Sequence, residues 1–126
     1  MLVRYLPMGE PWFILTKRFG ADVRDPSVED LQAAVGEVVN PAHAGDIEHA
    51  NTFVRYGYDE GPMYVLTYDA DRCVTFEQWA DQDFANELAP IGYLSDVPPT
   101  EAVRLMQALR DGAVDRVKHE AWSAGR

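Results

Sequence analysis

The chain has 126 residues, 47% hydrophobic and 25% charged, with a formal net charge of −10. That length predicts a single domain, 1–126, able to bury roughly two-thirds of its unfolded surface without disulfides or metal. The composition excludes a disordered chain, and the lone Cys73 excludes an internal disulfide and a cysteine metal cage.

Residues 1–13, MLVRYLPMGEPWF, lack a long apolar core followed by a small-residue cleavage site. No apolar run approaches the roughly 18 residues of a membrane span. A cytoplasmic protein with no membrane partner is expected. After Pro11, the run WFILTK over residues 12–17 reads as a first strand. A polar connection leads to Asp25-Pro26-Ser27, which opens a helix. Ser27 is its N-cap, and Glu29 and Asp30 suit the positive first turn. Val28, Leu31, Val35 and Val38 recur at helical spacing beside Ala34 and make one face apolar. Asn40-Pro41 ends the helix, because a residue before proline avoids the helical region. The stretch HAGDIEHA, residues 43–50, is then a polar loop.

Residues 51–79 form the centre of the chain. Phe53, Arg55 and Gly57 alternate with Val54, Tyr56 and Tyr58, and aromatic and β-branched residues dominate, which is strand composition. Asp59-Glu60-Gly61-Pro62 breaks the run. MYVLTY (63–68) is a second strand, Asp69-Ala70-Asp71-Arg72 a second break, and CVTFEQW (73–79) a third strand. Links this short join only antiparallel neighbours, since a parallel return needs a long crossover. The result is a three-stranded meander in which Cys73 is a small buried hydrophobe.

Residues 80–89 read as a short acidic helix or a loop, and 90–96 as irregular. Pro98-Pro99-Thr100-Glu101 is a helix start with Thr100 as N-cap. Ala102, Leu105, Met106 and Leu109 make its apolar stripe, and Gly112 its exit. Residues 114–122 read as a last strand, polar on one side like an edge. One apolar stripe per helix predicts an α+β two-layer sandwich: a mostly antiparallel sheet of about five strands with two main helices packed on it.

The charge is unevenly placed. Residues 59–101 hold one basic residue, Arg72, against ten acidic ones, a net of −9. Such a field repels nucleic acid and attracts basic partners. No phosphate-binding, dinucleotide-binding, nucleophile-elbow or zincin motif occurs. His43, Asp46, Glu48 and His49 are metal-competent types without a mechanistic spacing. Asp69-Ala70-Asp71 lacks the glycine and distal glutamate of a calcium loop. Glu77, Asp81 and Asp83 could pair for acid–base work, but no partner base accompanies them. No metal, cofactor or enzymatic activity is expected. The alternative left open is a small-molecule-binding or metal-dependent enzyme domain using the His43–His49 loop.

The C-terminal third carries a resemblance. Ser95-Asp96-Val97-Pro98, the helix with Ala102-Val103 and Leu109, the Gly112 exit and the segment Val117-Lys118-His119-Glu120-Ala121-Trp122 resemble bacterial polymorphic-toxin immunity proteins of the first numbered immunity family. So does VRYGYDEGPMYVL upstream. The resemblance covers about residues 50–122. It does not extend to WFILTKRFG, and residues 114–116 stand where that family has a proline-containing link. It implies an α+β cytoplasmic antitoxin with a C-terminal tryptophan, which binds and neutralises a cognate toxin, often a nuclease or nucleic-acid deaminase. The charge layout then places a basic toxin against Asp59, Glu60, Asp69, Asp71, Glu77, Asp81 and Asp83, with Trp79 as anchor. Trp122 is expected to be structural. Neither the toxin's activity nor the oligomeric state follows from these residues.

Overall fold

The computed structural model describes residues 10–125. The targeting expectation rests largely on residues 1–9, outside that range. Six strands form one antiparallel sheet: β1 (Trp12–Thr16), β2 (Asp22–Arg24), β3 (Asn51–Gly57), β4 (Met63–Asp69), β5 (Val74–Trp79) and β6 (Glu87–Leu94), in the order β2-β1-β3-β4-β5-β6. Two main helices, α1 (Val28–Val39) and α2 (Pro99–Arg110), lie on one face, followed by a one-turn helix, α3 (Val114–Lys118). The α+β sandwich is as expected, with six strands instead of about five.

The pleat sorts the sheet into two faces. Phe13, Leu15, Val54, Tyr56, Tyr64, Leu66, Tyr68, Val74 and Phe76 point to the helices and are buried with Leu31, Val35 and Val38 of α1 and Leu105, Met106 and Leu109 of α2. Each such side chain contributes about 1.5–3 kcal/mol when fully buried. Two buried hydroxyls are satisfied: Tyr68 donates to the Val97 carbonyl at 2.7 Å and Thr52 to the Thr16 carbonyl at 2.6 Å. Ile14, Met63, Val65 and Cys73 are also buried but lie outside this core, on or next to the face turned from the helices.

Local chemistry explains the helix ends. Ser27 and Asp30 form a reciprocal capping box, satisfying two otherwise free amides. That bond to the Ser27 amide, with its hydroxyl's bond, holds the Asp30 carboxyl below the usual range. At the end of α2, Gly112 takes φ +78°. Its amide donates to the Leu109 carbonyl and that of Ala113 to the Ala108 carbonyl. This is the double closure that a left-handed residue permits at a helix exit.

Four sequence expectations are corrected. Residues 114–122 are not a strand: Ala113 to Lys118 turn helically, Val117 is fully buried, and only Ser123 bridges to the sheet, at Tyr93. Residues 87–94 are a strand, where the sequence predicts a short helix or loop to residue 89 and an irregular segment from 90. Proline is tolerated because β6 is an edge and carries register shifts opposite Gln78. The polar connection holds β2, only three residues long. Thr100 lies inside α2, whose N-cap is Pro98 without a side-chain bond; Pro99 fits the first turn, where its missing amide costs nothing.

Both sheet edges are blunted. β2 is short and charged. β6 carries Pro90, a bulge and the Ser123 bridge. Such devices suppress strand-to-strand pairing.

Candidate interaction surface

Successive turns of a meander fall at opposite ends of the sheet, and this divides the predicted acidic rim. The 58–62 turn and the 80–86 loop share one end, because Met63 pairs with Trp79 and Trp79 with Glu87. That end holds Asp59, Glu60, Asp81, Asp83 and Trp79. Asp69 and Asp71 lie at the other end, about 20 Å away along β4. Glu77 points from the middle of β5 onto the helix-free face. The structure therefore unites five of the eight predicted residues at one end, sets Glu77 beside Trp79 on the sheet face, and separates Asp69 and Asp71.

The acids also differ in what they do. The Asp69 carboxylate accepts from the amides of Asp71 (2.9 Å) and Cys73 (3.1 Å) and so builds its own turn. Asp81 does the same for the amide of Asp83 (2.9 Å) and the side chain of Asn86 (3.4 Å). Glu77 accepts from the indole N–H of Trp79 at 3.0 Å. Trp79 is thereby tied down and half-buried. Asp59, Glu60, Asp71 and Asp83 project to solvent, as does Glu87, which the sequence reading left out. Among the described residues none of these five is in an ion pair. Tyr64, Tyr68 and Phe76, three further aromatics of this acidic stretch, are core residues and offer a partner nothing.

The 80–86 loop is braced. The Ala80 amide donates to the Asn86 carbonyl at 2.8 Å. The Gln82 side chain donates to the carbonyls of Tyr58 and Asp59, stapling this loop to the neighbouring turn. Phe84 sits at its tip with φ +57°, half exposed, its ring edge-on to Trp79 with centroids 5.3 Å apart. Leu88, on β6, is 53% exposed.

At the other end, Ile47–His49 forms a turn that closes the histidine loop. The Asp46 carboxylate accepts from His49 Nδ1 (2.9 Å) and from Arg18 (3.2 Å), and Arg18 also donates to the His49 carbonyl. The hydrogen bond from His49, with the nearby Arg18, holds the Asp46 carboxyl below the usual range. The Arg18 side chain is only 6% exposed and is overlaid by the Phe19 ring at 4.3 Å. His43 Nδ1 instead bonds the Glu37 carbonyl at 2.8 Å. The two histidines thus serve separate local bonds, and among the described residues no group of three His, Cys, Asp or Glu is arranged to hold a metal. A cleft of about 340 Å³ opens beside them, lined by His43, Asp46, Asp69 and Asp71 among others.

A second cleft, of about 480 Å³, lies between β1, the start of α1 and the end of α2. Arg110 lines it, with an N–H on the Pro26 carbonyl at 3.4 Å and Asp111 at 3.7 Å. Tyr56 lines it too; burial, with the hydroxyl of Tyr58 beside it, pushes its phenol up to about 12. No helix among the described residues is long and apolar enough to cross a membrane.

The fold and its acid-rimmed sheet end define an α+β protein whose two loops at that end are joined by hydrogen bonds. No family model, curated protein or solved structure matches the chain.

Proposed function

We propose that the chain is an immunity-type binder that neutralises a basic protein toxin by occupying it with the acidic sheet end. One observation carries this reading: Asp59, Glu60, Asp83 and Glu87 gather around two stapled loops with no ion pair of their own among the described residues. Like charges held together repel one another, and a cationic partner would relieve that repulsion. Such a surface steers a cationic partner and speeds encounter. The sequence resemblance to immunity proteins supports the same conclusion for residues 50–122, though its segment 117–122 is the end of α3 and an irregular tail, not a strand.

The test is co-expression with the product of the gene immediately upstream. If that product arrests growth alone and not with this chain, and the two proteins bind in a salt-sensitive manner, the reading stands. Reversal of Asp59 and Asp83 to Lys should then slow association and flatten its salt dependence. An upstream product that is harmless, or that does not bind, removes the toxin-neutralising function.

A further inference from the structure

Resting on the reading of the acidic end as a protein-binding surface, we propose that Phe84 and Leu88 are its anchor, inserted into an apolar hollow rimmed by Lys and Arg on the partner. A phenylalanine at φ +57° occupies a backbone region that β-carbon sterics disfavour, and glycine or asparagine would serve the turn better. The ring is half exposed, so its packing on Trp79 repays that strain only in part. Strain retained in a braced loop marks a position whose side chain has a use. Aromatic side chains are the commonest carriers of interface energy. The Gln82 staples, the Asp81 turn and the edge-on Trp79 fix the ring in advance, which lowers the ordering cost of binding.

The charge around the anchor selects its occupant. Asp59, Glu60, Asp83 and Glu87 would desolvate badly against an acidic or neutral rim and would repel nucleic acid or a second copy of the same surface. A basic rim around an apolar hollow complements both features. Asp69 and Asp71, at the far end of β4, take no part in this contact.

Two peptide probes decide the anchor without any knowledge of the natural partner. One alternates lysine with leucine and phenylalanine; the other carries the same number of lysines on a glycine–serine background. Both are titrated into the isotope-labelled full chain. The first should shift the amides of residues 59–61 and 81–88 and bind roughly tenfold more tightly than the second. Phe84→Gly, which suits the left-handed backbone and so retains the fold, should reduce that advantage to about threefold or less, and Leu88→Ser should weaken it independently. Equal affinity for the two peptides, shifts confined to other regions, or no loss in either variant would overturn the anchor. With the upstream product, Phe84→Gly should raise the dissociation rate about tenfold or more while leaving the salt dependence of association unchanged. If that product does not bind the wild-type chain, the toxin reading fails by itself, and the peptide titration still judges the surface.

Discussion

The rings of Phe76 and Trp122 lie stacked, 25° between planes and 5.2 Å between centroids. Phe76 comes from the core face of β5 and Trp122 from the segment after α3. The indole N–H donates to the Val117 carbonyl at 2.8 Å, so one side chain ties the last helical turn to the sheet. Gly92 of β6 lies directly beneath: a β-carbon there would stand 2.7 Å from that of Trp122.

This contact predicts paired losses of stability. Trp122→Ala should destabilise the fold by about 3 kcal/mol, near the lower end for a packed tryptophan because this one is half-exposed. Gly92→Ala should cost about 1–3 kcal/mol, since backbone and ring must both shift to admit a methyl group. Equilibrium urea unfolding measures both. A loss below about 1 kcal/mol for Trp122→Ala would mean that the stacking contributes little.

The histidine loop should prove structurally modest. The His43 and His49 rings each bond one local partner, and replacing both by Ala should cost under about 2 kcal/mol. Elemental analysis of the purified chain should find no stoichiometric zinc. Bound zinc that disappears in the double variant would contradict the separation of these two rings.

Alkaline pH should unfold the protein earlier than exposed tyrosines would require. Burial raises Tyr56 to about 12 from 10.0, and raises Tyr64 and Tyr68 as well. Above pH 10 the unfolded chain loses these protons while the folded one retains them. The folded state then binds more protons, and stability falls as pH rises. The contribution is complete below pH 10 and drains away toward pH 12. Urea midpoints measured across that range should decline, and Tyr56→Phe should decline less steeply. Parallel curves for the variant and the wild type would remove Tyr56 from the account.

Gln82 should control the order of the 80–86 loop more than the stability of the fold. Gln82→Ala removes both staples to the 58–62 turn from an exposed position, so the global loss should be small, about 1 kcal/mol or less. Amide exchange in residues 80–86 should accelerate while that of β3 and β4 stays unchanged. Unchanged exchange in the loop would show that the Ala80–Asn86 closure is sufficient alone.

Much of the architecture was legible because it is periodic. The alternation through β3, β4 and β5, the apolar spacing of α1 and α2, and the Ser27 and Gly112 caps each follow from local sterics and hydrogen bonding. The segments that were misread lack that period. β6 mixes Pro90, Gly92 and an exposed Leu88, and β2 has three residues with charges at both ends; each is a strand because a neighbour supplies the ladder. Residues 114–118 carry two valines that suit a strand, yet Val117 is buried under the end of α2 and its backbone follows the helical turn begun at Ala113. Packing there overrides residue preference.

The candidate surface divides in the same way. Composition alone determined that residues 59–101 carry most of the negative charge, and the short links alone determined an antiparallel meander. The alternation of turns between sheet ends was also implicit in that meander, and it already separates Asp69 and Asp71 from Asp59 and Glu60. Only the tertiary structure decided the rest. Pairing of β6 with β5 brings Glu87 beside Trp79, and the Gln82 staples bring the 80–86 loop against the 58–62 turn. Phe84 is left half exposed at the tip of that loop, on a left-handed backbone. Those outcomes depend on contacts between residues distant in the chain, whose free energies no local pattern of side chains encodes.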